Sequence, residues 1–271
     1  MSSVKKVVQP LLPFYDVSTT QTHSEAKLPA ELVVEGYASQ KPSDHKPWEI
    51  ALDESGRGPM FGRVYAAAVV LPRDPAMFDT TLMKDSKKIH SKKKMKELAE
   101  YIRAHAVYTS VKYQESEVID RVNILQADMM CMHDCIREIM TNVRFQDVSL
   151  IIDGNYFKPY SVLDESTESM YMIPYTTIEQ GDGKYASIAA ASILAKYERD
   201  KYIEELCEEY PELKTRYSLH TNMGYGTAAH LKGIQEYGIT QWHRKSFGQC
   251  AKLATKCEGD PNVDVMSPRQ A

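Results

Sequence analysis

The sequence lacks any unbroken apolar run near the ~18–20 residues that a membrane span needs. Its first residues also lack the charged-then-apolar pattern of a secretory signal. Charge of neither sign dominates, since 33 Lys and Arg stand against 37 Asp and Glu, a formal −4 over 271 residues. That excludes a histone-like coat for polyanions. It does not exclude an enzyme with a local basic cleft, because the field at a cleft is set locally. Five cysteines, odd in number and unevenly spread, make no disulfide framework. No internal repeat occurs, and no Cys/His spacing of a zinc site. These absences point to a soluble, cytoplasmic chain, and 43% apolar content suffices for one domain with a core.

What is present falls into three parts. Residues 1–47 carry Pro10, Pro13, Pro29, Pro42 and Pro47 among many Ser and Thr, with only short apolar pieces such as Leu32-Val33-Val34. That composition reads as a loosely ordered extension. A transit peptide fits poorly, because Asp16, Glu25, Glu31 and Glu35 precede the first arginine, Arg57. Residues 251–271 read as a polar tail.

Between them apolar strands alternate with amphipathic helices. Trp48 to Asp53 is a strand stopped by Gly56-Arg57-Gly58-Pro59, and Val64 to Leu71 is a buried strand. Ser91 caps a helix to about His105, with Met95, Leu98, Ala99 and Ile102 on one face. Val107 to Tyr113 alternates as a third strand. A helix capped by Asn123 extends to about Val143, its apolar face interrupted by Asp128. Strands at Val148–Ile152 and Ile173–Ile178 and a helix from about Lys184 to Glu208 follow. Tight early turns imply an antiparallel start, and the later alternation implies parallel crossovers. The expected fold is α/β, with a mixed five-stranded sheet flanked by helices.

Carboxylates mark the ends of these elements. Asp53 and Glu54 sit where a strand meets a glycine turn, Asp153 ends Leu150-Ile151-Ile152 before Gly154, and Asp182 lies between Gly181 and Gly183. Strand ends are where α/β proteins build sites. Clustered acids would repel one another and raise a pKa, which a divalent ion such as Mg²⁺ or Mn²⁺ relieves. A turn or cap role is the competing reading for Asp153 and Asp182. Gly56-Arg57-Gly58 offers close backbone approach and a guanidinium fork suited to phosphate.

Taken in order, these segments resemble the ribonuclease HII, or type 2 ribonuclease H, family in its bacterial branch. The likeness runs from about Trp48 to Gly248 and rests on several segments. They are Leu52 to Pro59, Ala66 to Pro72, Asp85-Ser86-Lys87-Lys88, Ile152 to Asn155, Gly181 to Lys184, Ser187 to Lys196 with Arg199-Asp200, Gly224-Tyr225-Gly226-Thr227 with His230, and His243 to Phe247. The resemblance implies a ribonuclease H-like fold with a helical C-terminal portion, over a catalytic domain of residues 48–250. It implies an endonuclease that cuts the RNA strand of RNA–DNA hybrids and cuts 5′ to single ribonucleotides in duplex DNA. By that likeness Asp53, Glu54, Asp153 and Asp182 hold two Mn²⁺ or Mg²⁺ ions, and the products carry 5′-phosphate and 3′-hydroxyl ends. Gly56, Arg57, Gly58 and Tyr225 match the residues that read the 2′-hydroxyl, which distinguishes RNA from DNA. Lys87, Lys196 and Arg244 complete the expected nucleic-acid contacts. The chain is expected to act as a monomer with no membrane partner.

Departures from the family pattern are Ser55, Met60-Phe61, Arg63, Asp128 where threonine is common, Met223 where lysine is common, and Tyr197-Glu198. None replaces an expected metal ligand. The basic run Lys84, Lys87, Lys88, Lys92, Lys93 and Lys94 opens a helix, where positive charge opposes the dipole, so a phosphate role is expected. Cys131 and Cys135 fall on the apolar helical face and read as core. Two alternatives are an inactive hybrid-binding module and the related type 3 enzyme. Four intact acids argue against the first. Asp182, where the type 3 family usually has Glu, and the short extension argue against the second.

Overall fold

The computed structural model describes residues 46–83, 89 and 91–257. Strands β1 (Trp48–Ser55) and β2 (Val64–Val70) pair antiparallel, and β2 pairs antiparallel with β3 (Tyr108–Gln114). Strand β4 (Val148–Asp153) lies parallel to β1, and β7 (Tyr175–Ile178) lies parallel to β4. The five-stranded order is β3-β2-β1-β4-β7, and a separate hairpin joins β5 (Ser161–Asp164) to β6 (Ser169–Met172). The mixed sheet is thus as expected, an antiparallel start carried into parallel crossovers.

Strand alternation divides the core between the two faces of the sheet. Tyr65, Ala67 and Val69 of β2 face one cluster, with helices α1 (Lys92–His105) and α4 (Ala186–Glu209). Val64, Ala66, Ala68 and Val70 face the other, with Ile50, Leu52 and helix α3 (Ile124–Ile139). Helix α4 is buried without interruption from Ala186 to Ala195. The small side chains there let the helix lie close on β1 and β2, and larger ones would overpack the contact. Cys131 and Cys135 are buried free thiols whose Sγ atoms reach the Val64 and Ala66 carbonyls, so they are core residues.

Several boundaries differ from those read in the sequence. Helix α3 stops at Ile139 in a Thr141-Asn142 turn, and a short helix α2 (Ser116–Val122) precedes it. Helices α5 (Glu212–Tyr217), α6 (Leu219–Asn222), α7 (Ala228–Tyr237) and α8 (Gly248–Cys257) form the C-terminal portion. Helix α8 crosses the expected boundary at 250 and makes residues 251–257 helical rather than tail. Lys46 and Pro47 already belong to the folded body, because Arg73 donates to both of their carbonyls. The rest of the expected extension, and residues 258–271, lie outside the described residues. Among the described residues no helix is long and apolar enough to cross a membrane.

Asn123 ends α2 and caps α3 at φ 73°, its side chain accepting from Gln126 N–H at 3.0 Å. Asparagine tolerates that left-handed backbone and supplies the cap. Asn123→Ala is expected to lower unfolding free energy by about 1–2 kcal/mol, and Asn123→Gly by less, measured by urea denaturation.

Candidate active site

The four expected acids gather at one end of the sheet. Leu52 pairs with Ile152 across the parallel strands, so Asp53 and Asp153 follow side by side at their carboxyl ends. Adjacent strand residues point to opposite faces, which sends Asp53 toward Ser192 on α4 and Glu54 toward α3. Asp53 Oδ1 accepts the Glu54 backbone N–H at 2.7 Å. Asp153 Oδ1 accepts the Gly181 N–H at 2.6 Å, which joins β4 to the 3-10 turn Gly181–Gly183 carrying the buried Asp182. Burial, then the charges of Glu54 and Asp153, hold the Asp53 carboxyl well above the ordinary range. Burial also raises Glu54, against the opposing pull of Arg57.

Among the described residues, no three His, Cys, Asp or Glu side chains close into a metal cage. The acids stand as neighbours that repel one another, without converging on a centre. Their donors are all hard carboxylate oxygens, and burial together with neighbouring acids makes the Asp53 and Glu54 carboxylates costly to ionise. This donor set suits a hard divalent cation.

Beside the acids, the loop between β1 and β2 is held from within. Arg244 is fully buried. Its Nε donates to the Gly62 carbonyl at 2.9 Å, Nη1 to Arg57 and Pro59 at 3.1 and 2.7 Å, and Nη2 to Gly56 and Arg63 at 2.6 and 3.0 Å. A guanidinium has five N–H donors, so all are committed to main chain. Arg244 was expected to contact nucleic acid. Instead it is an internal clamp, with no donor left for a phosphate. The loop's other side rests on Arg199, also buried, which donates to the Met223 carbonyl at 2.6 Å. Gly56 has φ +97°, and a Cβ there would meet Arg199 Nε at 2.5 Å, so only glycine fits. Tyr225 stays half exposed, its ring edge 3.5 Å from where a Cβ on Gly58 would lie.

Arg57 is bracketed by two acids. Its Nη1 is 3.4 Å from Glu54 Oε1, and its Nε is 3.8 Å from Asp128 Oδ2. Asp128 is fully buried, and neither of its oxygens accepts a hydrogen bond among the described residues. Burial and then Glu54 push its carboxyl well above the usual range. The acid that interrupts the apolar face of α3 therefore faces the active site. Its partner Arg57 lies far off in sequence, so the helical pattern alone could not reveal it.

The remaining expected contacts divide. Lys196 is half-buried and pairs with Asp200 at 2.7 Å. Lys87, with Lys84 and Lys88, lies outside the described residues, while Lys92 is exposed and pairs with Glu204 at 2.7 Å. Reading for site residues missed Asp128, Arg199 and the buried pair His230 and His243. The motifs containing Arg199, His230 and His243 were the available signal, but the contacts that join Arg199 to Met223 and His230 to His243 link separate elements.

The five-stranded sheet order with α4 laid across it defines the ribonuclease H-like class. Structures sharing this fold include the ribonuclease H2 from Pyrococcus horikoshii OT3, at TM-score 0.57 and 18% identity over 79% of this chain and 100% of that one. Another is Bst-RNase HIII in complex with Mn²⁺, at TM-score 0.56 and 17% identity over 87% of this chain and 77% of that one. In sequence, the ribonuclease HII family model matches residues 50–250. A ribonuclease HII of Parabacteroides distasonis is 43% identical over 199 residues, which cover 73% of this chain and 89% of that protein. The chain belongs to the ribonuclease HII family and is a ribonuclease H, an endoribonuclease that acts on RNA–DNA hybrids.

A raised Asp53 carboxyl binds its proton more tightly in the folded chain than in the unfolded one. Its contribution is therefore favourable below about pH 4 and is lost as pH rises through the raised value. Without divalent ions, Asp53→Asn is expected to melt about 2–6 °C above wild type at pH 7.5, with the gap closing near pH 4. Parallel melting curves at every pH would contradict this.

Proposed function

We propose that the chain cuts on the 5′ side of single ribonucleotides embedded in duplex DNA, as well as within RNA–DNA hybrids. Two divalent ions, Mn²⁺ or Mg²⁺, would be held by Asp53, Glu54, Asp153 and Asp182. When bound, they supply charge stabilisation for an in-line displacement at phosphorus. The P–O3′ bond breaks, and water supplies the oxygen of the new 5′-phosphate, leaving a 3′-hydroxyl. Bst-RNase HIII, which shares the fold, was solved with Mn²⁺, and this supports a divalent requirement.

The observation that carries the reading is the half-exposed Tyr225 beside Gly58, on a glycine loop next to the acids. A ribose approaching this corner meets the exposed backbone of Gly58 on one side, on a loop whose Gly56 is packed against Arg199, and the Tyr225 ring on the other. Only the 2′-hydroxyl separates RNA from DNA there, and a backbone without side chains lets it come close. Arg57, 47% exposed at its side chain, is the cation of this corner, and Glu54 and Asp128 hold it until a phosphate competes. Lys196 and Lys87 are proposed as further contacts to the backbone.

Incubation of a duplex carrying one ribonucleotide with Mn²⁺ or Mg²⁺, followed by end analysis, tests the proposal. One cut is expected 5′ to the ribonucleotide, leaving 3′-hydroxyl and 5′-phosphate ends, and Asp53→Asn should slow it at least ~10³-fold. A 2′,3′-cyclic phosphate product would overturn the chemistry. Cutting of continuous hybrid alone would favour a type 3 preference.

A further inference from the structure

His243 and Arg244 are consecutive, and they reach opposite halves of the corner just described. Arg244 holds the carbonyls of Gly56, Arg57, Pro59, Gly62 and Arg63. His243 reaches the tyrosine half through one intermediary. The Thr240 N–H donates to His243 Nδ1 at 2.9 Å, so that nitrogen carries no proton and Nε2 does. His243 Nε2 lies 3.1 Å from His230 Nε2, which must then accept. The His230 proton is left on Nδ1, 2.9 Å from the Tyr225 carbonyl oxygen. Thr240, His243, His230 and Tyr225 thus form one directed series of hydrogen bonds.

The series works only with both rings neutral, because an added proton would set two N–H groups face to face. Both rings are buried, and burial pulls both imidazoles below their ordinary value. Phe61 meets the His243 ring edge-on at 4.9 Å and Tyr217 lies at 5.0 Å, so the ring has little freedom to turn. The neighbouring carbonyls are held as firmly, Gly224 by Met60 N–H at 2.9 Å and Met223 by Arg199 at 2.6 Å. Three consecutive carbonyls, Met223, Gly224 and Tyr225, are therefore fixed from three different elements. The side chain that emerges from this fixed backbone is the half-exposed Tyr225 ring.

We infer that His243 and His230 are positioning residues for ribonucleotide recognition, fixing Tyr225 in register with the glycine loop that the adjacent Arg244 clamps. The inference rests on the reading of Tyr225 as a group that meets the 2′-hydroxyl. A buried polar pair costs stability unless every nitrogen is satisfied, and two apolar side chains would fill the same space. What an apolar pair cannot supply is the directed bond to the Tyr225 carbonyl.

A double-mutant cycle tests it, with kcat/KM on a single-ribonucleotide duplex as one readout and the Mn²⁺-induced rise in Tm as the other. His230→Leu is expected to lower kcat/KM about 10- to 100-fold while the Mn²⁺ shift stays as in wild type. His230→Asn should recover most of that loss, because its amide N–H stands where Nδ1–H stood. In a Tyr225→Ala background, His230→Leu should cost at most about two-fold more. If the two losses multiply instead, the histidines act independently of Tyr225 and the inference fails, while the reading of Tyr225 stands. If Tyr225→Ala leaves kcat/KM unchanged, both fail. His243→Asn, whose amide is too short to reach His230, repeats the cycle should His230→Leu not fold.

Discussion

The structure turns on a buried guanidinium that, among the described residues, has no carboxylate hydrogen-bonded to it. Arg244 sits at zero exposure, and burial pulls it down to about 9. A cation there is tolerable only if every donor finds an acceptor, and the acceptors are five carbonyls of one short loop. The loop therefore has little choice of path. Its carbonyls turn inward to Arg244, while Met60 and Gly62 N–H groups bond to Gly224 and Trp242. Asp120 fixes the segment carrying Arg244 by accepting from the Lys245 and Ser246 N–H groups.

At the neighbouring strand ends the fold does the reverse and accumulates unfavourable charge. Burial and then the charges of Glu54 and Asp153 raise the Asp53 carboxyl, burial raises Glu54, and the buried Asp128 adds a further acid. A sequence selected for stability alone would not place them together. Such a cost is accepted where acids serve a site, which agrees with the divalent-ion role proposed for them. Arg57, between Glu54 and Asp128, is the cation that offsets part of it.

Much of this was legible in the sequence. The five strands and α1, α3 and α4 followed from apolar periodicity and from glycine stops, and the acids from their place at strand ends. Arg244 was expected to contact nucleic acid, because His243 to Ser246 is polar text, whereas contacts with a loop some 180 residues away bury it. His230 and His243 escaped for a similar reason, since neither interrupts an apolar pattern. Asp128 did interrupt one, but its partner Arg57 belongs to another element. The β5–β6 hairpin has four-residue strands in Ser- and Glu-rich text, too short for a period to emerge.

The central claim is that a preset loop selects the ribonucleotide while separate acids hold the metal. Arg244→Lys addresses it directly, because lysine keeps the charge but offers donors from a single nitrogen. Cutting of a single-ribonucleotide duplex would be measured alongside the Mn²⁺-induced rise in Tm. The account predicts a loss in cutting of about 100-fold with the Mn²⁺ shift unchanged. Cutting at the wild-type rate, or loss of the Mn²⁺ shift together with cutting, would contradict it.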